Sequence, residues 1–153
     1  MTRLIPPFTA NRVRMALLRA AGLRIGKGTV MWGTPTIVGN KVERANLSIG
    51  AECGFNVGCF IDLSAPVTIG DKVSFGHDVM ILTCDPNHRL DAARSTASVT
   101  IGDGAWLAAR CTIMPGVNIG AGAIISAASV VATDIAPNTL VSGRQTISLA
   151  RWR

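Results

Sequence analysis

An aliphatic residue every six positions is the feature that most restricts what this chain can fold into. From residue 101 it reads IGDGAW LAARCT IMPGVN IGAGAI ISAASV VATDIA, with Ile101, Leu107, Ile113, Ile119, Ile125 and Val131 opening the units. Four places after each comes a second apolar or small residue: Ala105, Cys111, Val117, Ala123, Ser129 and Ile135. Neither an α-helix nor simple strand alternation has this period. A short strand plus a corner does, and three such units close a triangular coil whose neighbours stack through parallel hydrogen bonds. Glycine often follows the aliphatic residue, and the expectation is that it supplies positive φ at the corner.

The same register predicts coils upstream. Ile69, Phe75 and Ile81 form one, and Ile49, Phe55 and Ile61 another, with a two-residue expansion around Ser64–Pro66. Ile25, Met31 and Ile37 form a weaker first coil, and the interval from Ile37 to Ile49 is irregular. The prediction is an all-β, single-domain parallel β-helix of about five coils over residues 24–138. A short N-terminal helix over 9–21, with Val13, Leu17 and Leu18 apolar, precedes it, and a tail over 139–153 follows. Composition agrees: aromatics are 5%, Tyr is absent and there are 16 Gly, which suits a narrow repetitive interior.

The net charge of +6 lies mostly at the ends, in Arg3, Arg12, Arg14, Arg19 and Arg24, then Arg144, Arg151 and Arg153. No aromatic stacking platform accompanies either cluster, which argues against nucleic acid. The basic helix is a candidate for peripheral membrane contact, or simply a cap on the core. No apolar run is long enough to cross a bilayer, and arginines interrupt any leader-like stretch, so a cytoplasmic protein is expected. Cys53, Cys59, Cys84 and Cys111 lack metal-ligand spacing, and three of them fall on inward positions.

After Ile81 the rhythm stops and returns only near Ile101, so the intervening segment, centred on 84–98, must leave the stack as a loop. It carries Asp85 and His88. Histidine is the side chain best suited to take a proton from a hydroxyl near neutral pH. The other histidine, His77, lies two places after Phe75 on the outside of a coil. Coil arithmetic aligns Val57, His77, Ala109 and Ala127 as one outward column, with Asn56 beside it. Trp106 precedes Leu107 and should project outward, against a neighbouring subunit, the loop or an acyl pocket.

Together the motifs Ile49–Asp62, Val67–Thr83 and IGDGAW (101–106) through VATDIAPN (131–138) resemble the hexapeptide-repeat acyltransferases, within them the maltose and galactoside O-acetyltransferases and polysaccharide-modifying relatives. The resemblance, over residues from about 24 to 143, implies a left-handed helix and a homotrimer with acetyl-CoA in a groove between subunits. It implies that His88 deprotonates an acceptor hydroxyl, which attacks the thioester directly without a metal. Asn56, His77 and Asp85 are then expected on the acceptor side, and Trp106, Ala109 and Ala127 along the donor. At the C-terminus Gly143 fits the family, but Gln145 replaces its proline, and Arg144 and Arg151 stand in for its basic residues.

The resemblance is strong for fold and donor and weak for acceptor, leaving O- against N-acetylation open. A γ-class carbonic anhydrase shares the helix but needs three histidines on zinc, and the chain has two. A non-catalytic β-helix scaffold is the remaining alternative.

Overall fold

A computed structural model describes residues 6–40, 42–85 and 95–142. Three parallel sheets of five, six and five strands form the walls of a solenoid. The first stacks Arg24–Ile25, Leu47–Ile49, Val67–Ile69, Val99–Ile101 and Asn118–Ile119. The second stacks Val30–Met31, Gly54–Phe55, Ser74–Phe75, Trp106–Leu107, Ile124–Ile125 and Leu140–Val141. The third stacks Thr36–Val38, Phe60–Asp62, Met80–Ile81, Thr112–Ile113 and Val130–Val131. These are the five coils the period predicts, plus the start of a sixth that carries the stack to Val141. A 3-10 helix, Glu43–Asn46, occupies the irregular interval before Ile49.

The predicted inward residues are in register: Ile49 over Ile69 over Ile101, Phe55 over Phe75 over Leu107, and Ile61 over Ile81 over Ile113. All are buried, and the Phe55 and Phe75 rings stack with centroids 4.2 Å apart. Cys53, Cys59 and Cys111 take the second inward place of their units and are buried free thiols. Burial pushes the Cys59 thiol up to about 11 and that of Cys111 to about 12, and raises that of Cys53, so all three stay protonated and unreactive at neutral pH.

Two expectations need correction. Ile135 reads as the second inward residue of the last unit, yet it bridges in parallel to Ile119 and opens the next coil. The corner before it is shortened, and Asp134 fills the gap by accepting the Asn118 N–H at 2.8 Å. The glycine after the aliphatic residue is also not the positive-φ residue. That conformation falls two places later, at Glu52 (56°), Lys72 (57°), Gly104 (67°) and Gly122 (67°) along one edge. Glycine follows the aliphatic residue because coils approach closely there. A Cβ on Gly102 would lie 2.5 Å from Ala121 N, closer than any side chain tolerates.

The helix Asn11–Ala20 closes the N-terminal end, burying Arg14, Met15 and Leu18 while Val13 is exposed. Its arginines answer a problem specific to the first coil. At the strands, N–H groups of one coil donate to carbonyls of the next, as Trp32 N–H does to Phe55 O at 2.9 Å and Gly26 N–H to Ile49 O at 2.8 Å. The equivalent carbonyls of the first coil, Met31 O and Ile25 O, therefore have no earlier coil to donate to them. Arg14 supplies Met31 O at 2.7 Å and Arg19 supplies Ile25 O at 3.1 Å and Gly26 O at 2.7 Å. These guanidinium groups cap the protein's own backbone. No helix among the described residues is long and apolar enough to cross a membrane.

Candidate functional site

The edge that follows the second sheet carries the predicted column. Asp78 N–H donates to Val57 O at 3.0 Å, Arg110 N–H to His77 O at 2.7 Å and Ala128 N–H to Ala109 O at 2.9 Å. Val57, His77, Ala109 and Ala127 therefore sit coil upon coil, with His77 and Ala127 exposed and Val57 and Ala109 half-buried. The left-handed residues Asp78, Arg110 and Ala128 turn the chain immediately after them. Small side chains at Ala109 and Ala127 keep this edge low, so an extended ligand can reach backbone groups along it. Gly76 keeps the adjoining coil equally low, since a Cβ there would lie 2.5 Å from Ala109 N.

Asn56 is half-buried beside the column. Its Oδ1 accepts the Val57 N–H at 3.0 Å, and its Nδ2 donates no bond to any described residue. Trp106 is 51% exposed on the outer face of the second sheet, in register with Ser74 and Ile124. It lies on the other side of Leu107 from Ala109, so strand and corner separate the two. Ile124, Leu140, Met80 and Val130 are exposed on the outer faces of the second and third sheets.

The insert leaves the stack as an antiparallel stem. Cys84 bridges Thr96, Asp85 N–H donates to Ser95 O at 3.0 Å and Ala97 N–H to Thr83 O at 2.9 Å. Asp85, half-buried, thus sits at the foot of the insert. His88, Arg144 and Arg151 lie outside the described residues.

One residue at this foot was not singled out from the sequence. Asp62 ends its strand 8% exposed, with Oδ1 accepting from Ser64 N (3.1 Å) and Ser64 Oγ (2.8 Å). Oδ2 accepts from Thr83 N (3.2 Å), Thr83 Oγ1 (3.0 Å) and Cys84 N (2.9 Å). The sequence clue was an Asp in an otherwise apolar strand end, two places before a Ser, the spacing of a local side-chain-to-backbone turn. Burial pushes the Asp62 carboxyl up, but the bonds from Ser64 and Thr83 outweigh it and hold the group below the usual carboxylate range. A depressed folded-state pKa stabilises the fold above the unfolded value of about 3.9 and loses that contribution as pH falls through the folded value. Asp62→Asn should therefore lower the urea midpoint at pH 7, and the gap to wild type should shrink as pH drops below about 4. A gap independent of pH would show that the ionised carboxylate is not what stabilises the foot.

Residues 98–133 match the family model described as bacterial transferase hexapeptide, six repeats. A galactoside O-acetyltransferase of Escherichia coli is 34% identical over 103 residues, covering 65% of this chain and 51% of that protein. The crystal structure of a hexapeptide-repeat-containing acetyltransferase from Vibrio cholerae superposes with a TM-score of 0.79 at 28% identity, covering 90% of this chain and 78% of that one. The chain is similar to the hexapeptide-repeat acetyltransferases. The structure of that Vibrio cholerae acetyltransferase with acetyl coenzyme A superposes at a TM-score of 0.71 and 29% identity, over 88% of this hexapeptide-repeat chain and 74% of that one. The chain spans about half the length of the curated relatives it matches, between 49% and 53% for the first three.

Proposed function

We propose that this protein is an acetyl-CoA-dependent O-acetyltransferase acting on a sugar or polysaccharide precursor. The observation that carries the reading is the superposition of 88% of the chain on an acetyltransferase complexed with acetyl coenzyme A. The low edge at Ala109 and Ala127 supports it, since an extended thioester arm needs such a surface. The galactoside O-acetyltransferase relative supports a sugar hydroxyl as acceptor.

In this reading the pantetheine arm lies along Ala109 and Ala127, with Trp106 flanking the donor and Arg144 and Arg151 meeting CoA phosphates, where guanidinium geometry suits phosphate. Asn56, His77 and Asp85 hold the acceptor. His88 removes the proton from the acceptor hydroxyl as the oxygen attacks the thioester carbonyl. A backbone N–H near Ala109 stabilises the tetrahedral oxyanion. The C–S bond then breaks, and the leaving thiolate takes the proton back from the His88 imidazolium. The acyl group is already activated, so neither a cysteine nucleophile nor a metal takes part. Cys84→Ser should accordingly retain turnover, and its loss in a folded variant would replace direct attack with an acyl-enzyme.

A homotrimer completes the groove with a wall from the next subunit, and the exposed apolar residues Trp106, Ile124, Leu140, Met80 and Val130 are surface for that contact. Light scattering should give three chains per particle, and a monomer at working concentration would remove the second wall. The acetyl-CoA requirement fits a cytoplasmic site of action. Calorimetric titration with acetyl-CoA tests the whole reading. Saturable binding near one site per chain is expected, and no binding to the folded protein would leave the scaffold alternative standing.

A further inference from the structure

We infer that Asp62 is a positioning residue that fixes where the insert carrying His88 leaves the solenoid. The inference rests on the proposed role of His88 as the base. The second, fourth and fifth coils pass from the third face to the next coil within a short corner and the first through a 3-10 turn, but the third must send out a long insert and recover the same register at Val99. The chain there has no neighbouring coil to pair with, so something else must hold its exit.

Asp62 belongs to the coil before. Its side chain reaches forward to the next coil and accepts the consecutive N–H groups of Thr83 and Cys84, at 3.2 and 2.9 Å. Thr83 is fully buried, and its Oγ1 accepts the Ala65 N–H at 3.0 Å, which ties the expansion of the second coil to the same point. Cys84 in turn bridges Thr96, so one carboxylate sets the outgoing strand of the stem and, through it, the returning one. His88 follows Cys84 by four residues in the sequence. A carboxylate does this where an amide cannot: both oxygens accept, whereas an Asn would present a donor to N–H groups on one side. A general base displaced by about 1 Å loses about a hundredfold in rate.

The test is histidine-ring NMR on the full chain. The sequence has two histidines, so His77→Gln assigns both signals. Asp62→Asn is expected to move the His88 ring signals toward those of free imidazole, leaving the His77 signals in place and acetyl-CoA affinity within about twofold. Unmoved His88 signals overturn the inference, and so does equal movement of both histidines, which would mean general loosening. Thr83→Val removes the hydroxyl from the same cluster without touching the carboxylate, and should shift His88 in the same direction. With acetyl-CoA and p-nitrophenyl β-galactopyranoside, kcat should fall about a hundredfold with KM for acetyl-CoA unchanged. Adding His88→Ala to Asp62→Asn should then cost less than His88→Ala costs alone, and full additivity would overturn the inference. Absence of acetyl-CoA binding by the wild type would instead remove the transferase reading, while the ring signals would still decide whether Asp62 holds the insert.

Discussion

His88→Ala should lower acetyl transfer by roughly 10²–10⁴-fold while leaving acetyl-CoA affinity unchanged, because general-base assistance contributes about that much. The split follows from where the residues lie. The proposed donor surface is the outer edge built by Ala109 and Ala127 on the fourth and fifth coils, and His88 belongs to the insert that leaves the third. Removing the imidazole takes away the proton acceptor and none of the donor surface, so the loss falls on kcat. Steady-state kinetics paired with calorimetry on wild type and variant reads both quantities. A variant that keeps full turnover would deny His88 the role of base, and one that loses acetyl-CoA binding would place the residue on the donor instead. His77→Ala is the natural companion: its residue is exposed on the column, and it should affect acceptor KM more than kcat.

The second large effect is on stability. Arg14→Ala should destabilise the fold by about 3–4 kcal/mol, the scale of a buried charged donor lost together with its partners' satisfaction. The Arg14 side chain is fully buried and donates to Met31 O (2.7 Å), Pro6 O (2.8 Å) and Thr34 Oγ1 (3.1 Å). Alanine leaves Met31 O buried without this donor and opens a void beneath the helix. Arg14→Lys should recover little, since one ammonium cannot span three acceptors held at fixed angles by a planar fork. Urea unfolding with an unchanged slope and a lower midpoint is the expected signature. A loss under about 1 kcal/mol would mean that water replaces the guanidinium at the end of the stack, as it does at exposed helix termini.

Much of this was legible in the chain. The six-residue period placed the inward residue that opens each unit from Ile49 to Val131, because a solenoid repeats one local solution and each unit shows the same apolar requirement. The column Val57, His77, Ala109 and Ala127 followed from the same arithmetic, since parallel stacking without slippage converts sequence offset into adjacency. The insert announced itself as an absence of period.

Other features were hidden because they depend on what lies across the gap between coils. Gly102 looks like a residue chosen for its dihedral freedom, and only the approach of Ala121 shows that it is there for lack of a Cβ. Arg14 and Arg19 look like surface charge on an amphipathic helix, yet they stand in for the N–H groups of a coil that does not exist. Asp62 looks like an ordinary polar residue at a strand end, and its significance rests on Thr83 and Cys84, 21 and 22 residues away. Period is a local property, written in each unit and readable from it. Closeness at the ends and interruptions of the stack belongs to no unit, so the tertiary structure alone decided what those residues do.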